Sequence, residues 1–209
     1  MAAGDKISVL IVDDHPMLRE GVAAVLGGED DMIVAGEATD GAEAVARFAQ
    51  LEPDIVLMDL QMPGLDGVSA IKAIRVQSPD ARIIVLTTYS GDAQAVRALR
   101  AGASGYLLKS SLRRELIDTI RAVYAGRRHV HPEVAQEIAL NAAGDPLSER
   151  EIDVLQRVAT GQANKEIARA LSLSEDTIKG HLRSIFNKLD VDDRTRAVTV
   201  GHRRGIIEL

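Results

Sequence analysis

Residues 53–67 read Pro53-Asp54-Ile55-Val56-Leu57-Met58-Asp59-Leu60-Gln61-Met62-Pro63-Gly64-Leu65-Asp66-Gly67, and they decide the fold. Ile55 to Met58 is an unbroken apolar run with β-branched members, fenced by Pro53 before and Pro63-Gly64 after. That pattern predicts a strand buried on both faces, as in a parallel sheet. Asp59 closes the run. A carboxylate cannot follow such a strand into a dry core without a heavy desolvation cost, so it surfaces at the strand's carboxyl end. In open α/β sheets that edge is where sites are built. Asp59 is the expected chemical centre.

Outward from this stretch the same alternation repeats. Ile7 to Val12 predicts a strand with Asp13-Asp14 at its carboxyl end, and Pro16 opens a helix with the stripe Leu18, Val22, Val25 and Leu26. Met32 to Ala38 is strand two, and Asp40 can cap the next helix. After Asp59 comes a helix with Val68, Ile71 and Ile74. Arg82 to Thr87 reads as strand four, Asp92 to Ala101 as a helix and Gly105 to Leu108 as strand five. Lys109 ends that strand, and Leu112 to Tyr124 is the fifth helix. Five strands alternating with five helices predict a doubly wound, five-stranded parallel sheet over residues 1–125.

Composition bounds the partners. Of 209 residues 46% are hydrophobic, ample for real cores, while aromatics make up only 2%, so aliphatic side chains must fill those cores. Cys is absent, which excludes disulfides and suits a cytoplasmic setting. No apolar run approaches membrane-spanning length, and Met1 to Lys6 does not read as a signal peptide, so no membrane partner is expected. Through Asp145 there are 14 Lys/Arg against 21 Asp/Glu, and 11 against 10 thereafter. An acidic chain does not advertise nucleic-acid binding, so such a reading must rest on local placement of charge.

The strand ends bring together Asp13, Asp14, Asp59, Thr87 and Lys109. Three carboxylates at one edge repel unless a cation joins them, and Mg²⁺ is the natural partner for hard oxygens that keeps several waters. A carboxylate can also act as a nucleophile toward phosphorus. Such transfer needs a metal on the phosphoryl oxygens and cationic help, which Lys109 could give, with Thr87 as a hydrogen-bond donor. No Gly-rich phosphate loop is present, which argues against ATP as donor.

Asp13-Asp14, Asp59 in MDLQMPGLDG, Thr87 and Gly105-Tyr106-Leu107-Leu108-Lys109, in this order and each at a strand end, resemble the receiver domain of two-component response regulators. The resemblance covers about the first 125 residues. It implies that Asp59 accepts a phosphoryl group from a sensor histidine kinase. It further implies that Asp13, Asp14 and Asp59 hold Mg²⁺ with the Gln61 backbone carbonyl, that Thr87 and Tyr106 form a switch pair, and that Lys109 is the phosphoryl's cationic partner. One residue departs: receivers often have Pro after this Lys, commonly with a cis bond, and here Ser110 follows. His15, His129 and His131 lack a matching ligand set and read as surface or loop histidines.

Gly126 to Asp145 changes character. Arg127-Arg128-His129-Val130-His131-Pro132 is polar and broken by Pro, Glu133 to Leu140 has the makings of a short helix, and Asn141 to Pro146 is a flexible end. The stretch 126–145 is read as a linker. Ser148-Glu149-Arg150-Glu151 is then a capping box that opens a second domain, residues 146–209, with four helices. Asn164 to Leu171, a short turn and a helix capped by Ser174 give a helix-turn-helix layout. On the third helix Ile178, Leu182, Ile185 and Leu189 share one side, while Asp176, Lys179, Gly180, Arg183 and Asn187 face away, as a helix entering a major groove requires.

Residues 146–209 resemble the LuxR-type helix-turn-helix domain of the NarL/FixJ class. By position, Lys179, Gly180 and Arg183 match its base-facing residues, and Lys165 and Thr177 its phosphate contacts. Gly180 stands where a larger residue is often found; it either admits closer approach to double-stranded DNA or removes one base contact. The expected function is a transcription regulator whose receiver, phosphorylated at Asp59, drives homodimerisation on DNA; it is not expected to be an enzyme. Two alternatives stand beside it. A phosphatase of the dehalogenase type needs Asp at position 61, which is Gln61. A receiver controlled by a ligand or partner without phosphorylation would leave the acidic set without a purpose.

Overall fold

The computed structural model describes residues 6–88, 92–141 and 145–207. Residues 1–5, and the 142–144 part of the expected flexible end, lie outside them. The chain divides into two compact units, Met1–Thr88 with Ala95–Pro132, and Tyr89–Gln94 with Glu133–Leu209.

In the first unit β1 (Ile7–Val12), β2 (Met32–Ala38), β3 (Ile55–Asp59), β4 (Ile83–Thr87) and β5 (Gly105–Leu108) alternate with α1 (Pro16–Gly27), α2 (Gly41–Leu51), α3 (Gly67–Gln77), α4 (Asp92–Ala101, of which the part from Ala95 on belongs to this unit) and α5 (Leu112–Tyr124). All strands pair in parallel. Every residue of β3 is buried, because both faces of its pleat meet side chains rather than water. Ile55 and Leu57 join Val9 and Ile11 of β1 in a core closed by Val22 and Leu26 of α1 and Leu116, Ile120 and Val123 of α5. The alternate residues Val56 and Met58 point to the other face and are buried as well. At the amino ends, Ser8 Oγ donates to Asp54 Oδ2 at 2.7 Å and fixes β1 against the start of β3.

The sheet has six strands, not five, in the order β2-β1-β3-β4-β5-β6. The added strand, β6 (His129–Val130), pairs with Gly105 and Tyr106 inside the stretch read as a linker. Gly126, at φ 81°, turns the chain back after α5, and the His131 N–H reaches the Tyr106 carbonyl at 2.9 Å. Two residues are too few for a period-2 pattern, and an edge strand needs no apolar run, so sequence patterning could not separate it from a loop. A helix α6 (Pro132–Asn141) follows it.

The second unit holds α7 (Glu149–Ala159), α8 (Asn164–Leu171), α9 (Glu175–Leu189) and α10 (Arg194–Arg203). Ser148 and Glu151 form the capping box, each satisfying the other's backbone N–H. Ser174 caps α9 through the Thr177 N–H, and Asp193 caps α10 through the Arg196 N–H. Ile178, Leu182, Ile185 and Leu189 are buried together with Val154, Leu155 and Val158 of α7 and Ile167 and Leu171 of α8. One apolar stripe therefore seats α9 on both preceding helices.

Candidate functional site

Strand order reverses between β1 and β3, and the carboxyl ends of these two strands are where Asp13 and Asp59 emerge. Asp13 is 0% exposed and Asp59 3%. Their attraction to one ammonium offsets this burial: Lys109 Nζ lies 2.7 Å from Asp13 Oδ2 and 2.8 Å from Asp59 Oδ2. The other Asp59 oxygen accepts from the Leu60 N–H at 2.7 Å and lies 3.4 Å from the Gln61 nitrogen. Burial raises the Asp59 carboxyl above its ordinary range, and the bond from Lys109 works against that rise. Burial also works to lower the Lys109 ammonium, but its bonds to Asp13 and Asp59 outweigh it and raise the group overall.

Asp14, half-buried at the mouth, completes the acidic set. Asp13, Asp14, His15 and Asp59 place one ligand atom each within 4.8 Å of one another. The His15 ring is exposed, as expected, yet its Nδ1 lies 2.7 Å from Asp14 Oδ1 and 3.1 Å from Asp13 Oδ1. The only sequence signal for this was its adjacency to the acidic pair. Three carboxylates around one point fit a hard divalent cation with open water positions. Thr87, at the end of β4, and Tyr106, within the neighbouring β5, are both buried, and their side chains are hydrogen-bonded. Burial raises the Tyr106 hydroxyl, against the pull of that bond. The Lys109–Ser110 bond is trans, like every described peptide bond, and Lys109–Ser111 forms a 3₁₀ turn into α5. Gly67 explains how the loop after Asp59 stays tight. A Cβ there would stand 2.1 Å from the Asp59 carbonyl oxygen, so only glycine lets α3 start this close to β3.

On the second unit, Asp176, Thr177, Lys179, Gly180, Arg183 and Asn187 of α9 are exposed, and so is Lys165 of α8. The Thr177 hydroxyl lies 2.8 Å from Ser174 Oγ at the cap. Lys179 Nζ lies 2.9 Å from Asp176 Oδ1. A residue seen in sequence only as a cap does more: Glu151, 5% exposed, accepts from Ser184 Oγ at 2.6 Å and Lys188 Nζ at 2.9 Å. Burial works to raise this carboxyl, but the bonds from Ser184, the Ser148 N–H and Lys188 outweigh it and bring it down to about 2. Glu151 thus fixes the rotation of α9 about its axis, and with it the residues α9 presents. Among the described residues no helix is long and apolar enough to cross a membrane.

Both units match families of known proteins. Residues 9–121 match the response regulator receiver domain, and residues 145–200 match the bacterial regulatory proteins of the luxR family. The transcriptional regulatory protein LiaR of Bacillus subtilis is 41% identical over 96% of this chain and 99% of its own. The response regulator protein VraR of Staphylococcus aureus is 36% identical over 97% and 99%. The structure of the two-component response regulator RcsB in complex with DNA superposes with a TM-score of 0.71, at 27% identity, over 95% of this chain and 99% of that one. A receiver with its acidic edge intact and a helix-turn-helix with its polar face outward occupy one chain; it belongs to the two-component response regulators with a luxR-family DNA-binding domain, and is a transcription regulator rather than an enzyme.

Proposed function

We propose that Asp59 is the phosphoacceptor and that its phosphorylation by a sensor histidine kinase drives this chain to pair on DNA. The observation that carries the reading is the salt-bridged set of Asp59, Asp13 and Lys109, buried at the sheet's carboxyl edge with Asp14 at its mouth. An Asp59 oxygen attacks the phosphorus of the kinase's phosphohistidine. A P–O bond forms, the P–N bond breaks, and the departing imidazole takes up a proton from water. Lys109 stays beside the new phosphoryl oxygens as their cationic partner. Asp13, Asp14 and Asp59, with the Gln61 carbonyl, would hold Mg²⁺, which supplies neutralisation of charge on the phosphoryl oxygens.

Thr87 then exchanges its bond to Tyr106 for one to the phosphoryl group, and this pair is the switch. A charge-assisted hydrogen bond is worth about 1.5–3 kcal/mol. Moving a two-state equilibrium from 1:99 to 99:1 takes about 5.5 kcal/mol. Local contacts therefore fall short, and self-association supplies the remainder. On this reading residues 1–125 are the receiver, 126–145 the connection with β6 and α6 in it, and 146–209 the DNA-binding domain. In the dimer two α9 helices reach half-sites about one DNA turn apart. Lys179, Gly180 and Arg183 face the bases, and Lys165 and Thr177 the phosphates.

Intact mass after exposure to a small phosphoryl donor, with and without Mg²⁺, tests the acceptor. One metal-dependent phosphoryl adduct on the wild type and none on Asp59→Asn is the expected result. An adduct of equal yield on both proteins would remove Asp59 from the role.

A further inference from the structure

Asp176 lies on the side of α9 that faces away from its core. At about 100° per residue, the buried Ile178, Leu182, Ile185 and Leu189 centre one side of the helix; Gly180 and Asn187 run opposite it, with Asp176 about 30° and Arg183 about 50° from that opposite line. Lys179 lies about 90° off that line. An acid in this place is costly if DNA is the partner, because phosphates line both walls of a groove and repel it. The helix dipole favours an acid in the first turn, but Glu175 already meets that preference from off the central line.

Two features fit Asp176 for contact instead. Lys179 Nζ, 2.9 Å from Asp176 Oδ1, offsets part of its charge. Gly180 follows one turn later on the same side, and a Cβ there would have nothing within 4 Å. With no side chain as a spacer, the backbone of α9 can approach its partner closely, which brings the short Asp176 side chain within reach of a base edge.

We propose that Asp176 reads a cytosine in the major groove, its carboxylate accepting a hydrogen bond from the N4 amino group. The inference rests on the reading that α9 lies in that groove. Among base edges there, the exposed amino groups belong to cytosine and adenine; adenine sets an N7 acceptor beside its amino group, which repels a carboxylate and suits an amide. Asp176 and Arg183 stand about 10.5 Å apart along the helix axis, the span of about three base steps. The acid and the arginine therefore read different base pairs of one half-site.

The test is selection from a randomised duplex library by the full chain, treated with a small phosphoryl donor and Mg²⁺. Binding curves on the enriched duplex and its single-base variants follow. The wild type is expected to enrich cytosine at one position of each half-site and to lose about tenfold in affinity when that base is changed. Asp176→Asn is expected to move the preference at that position alone toward adenine, since an amide pairs with adenine N6 and N7. Asp176→Ala is expected to abolish the preference there and to retain it elsewhere. A base-preference profile unchanged in both variants, with affinity altered alike for all duplexes, would reduce Asp176 to helix stability or general charge and overturn the inference. A wild-type selection with no enriched motif would overturn the groove reading itself, and this inference with it.

Discussion

The carboxyl edge of the sheet and the outer face of α9 both gather charged side chains, and they are built in opposite ways. At the edge, Asp13 and Asp59 are buried and held by a fixed ammonium, so their chemistry is set before any partner arrives. On α9, the polar residues stand in water on the back of an apolar stripe, and only a partner can order them. A buried charged set is costly unless completed, so its members betray one another. An exposed polar face costs almost nothing and therefore says little about what it binds.

The difference is open to measurement. The largest effect belongs to the edge: Lys109→Ala leaves Asp13 and Asp59 facing each other without a cation, at a cost of about 3–5 kcal/mol in urea unfolding without divalent metal. A loss below about 1 kcal/mol would place these charges with solvent-screened pairs and erase the contrast. Glu151→Ala comes next, at about 2–4 kcal/mol, because Ser184, Lys188 and the Ser148 N–H lose their shared acceptor. Its pH dependence has a definite sign. The folded carboxyl is held at about 2 against an ordinary 4.5, so its contribution is complete above about 4.5 and is lost as pH falls toward 2. Unfolding of wild type and Glu151→Gln across that window checks it, since the amide should flatten the slope.

Smaller effects belong to the exposed face. Arg183→Ala should cost about 1–3 kcal/mol on the preferred duplex, relax its sequence preference and leave the unfolding curve in place. Unchanged affinity and preference would remove α9 from the groove. Lys165→Ala should weaken binding to all sequences alike and lower the log–log salt slope by about 0.9. If its loss fell on one sequence only, Lys165 would be a base reader and the division between α8 and α9 would need redrawing.

What was legible in the sequence follows the same division. β3 and Asp59 could be read because a buried apolar run must end somewhere, and its ending in an acid is a strong local signal. Lys109 and Thr87 followed by the same logic from their own strands. β6 could not be read, since its two residues are defined by pairing with Gly105 and Tyr106 rather than by any pattern of their own. Glu151 was legible as a cap, three residues from Ser148. Its hold on Ser184 and Lys188, 33 and 37 residues away, is a property of the packed helices alone. Gly67 carried no signal of its own in the sequence, because the close approach of its backbone to the Asp59 carbonyl is a property of the folded chain.

Sedimentation and DNA binding of the wild type and Asp59→Asn, each with and without a small phosphoryl donor in Mg²⁺, test the coupling of the two regions most directly. The account predicts that the donor shifts the wild type toward a dimer and raises its affinity for the preferred duplex, while Asp59→Asn stays folded, monomeric and weakly bound. A wild type that is fully phosphorylated by mass yet gains neither self-association nor DNA affinity would contradict it.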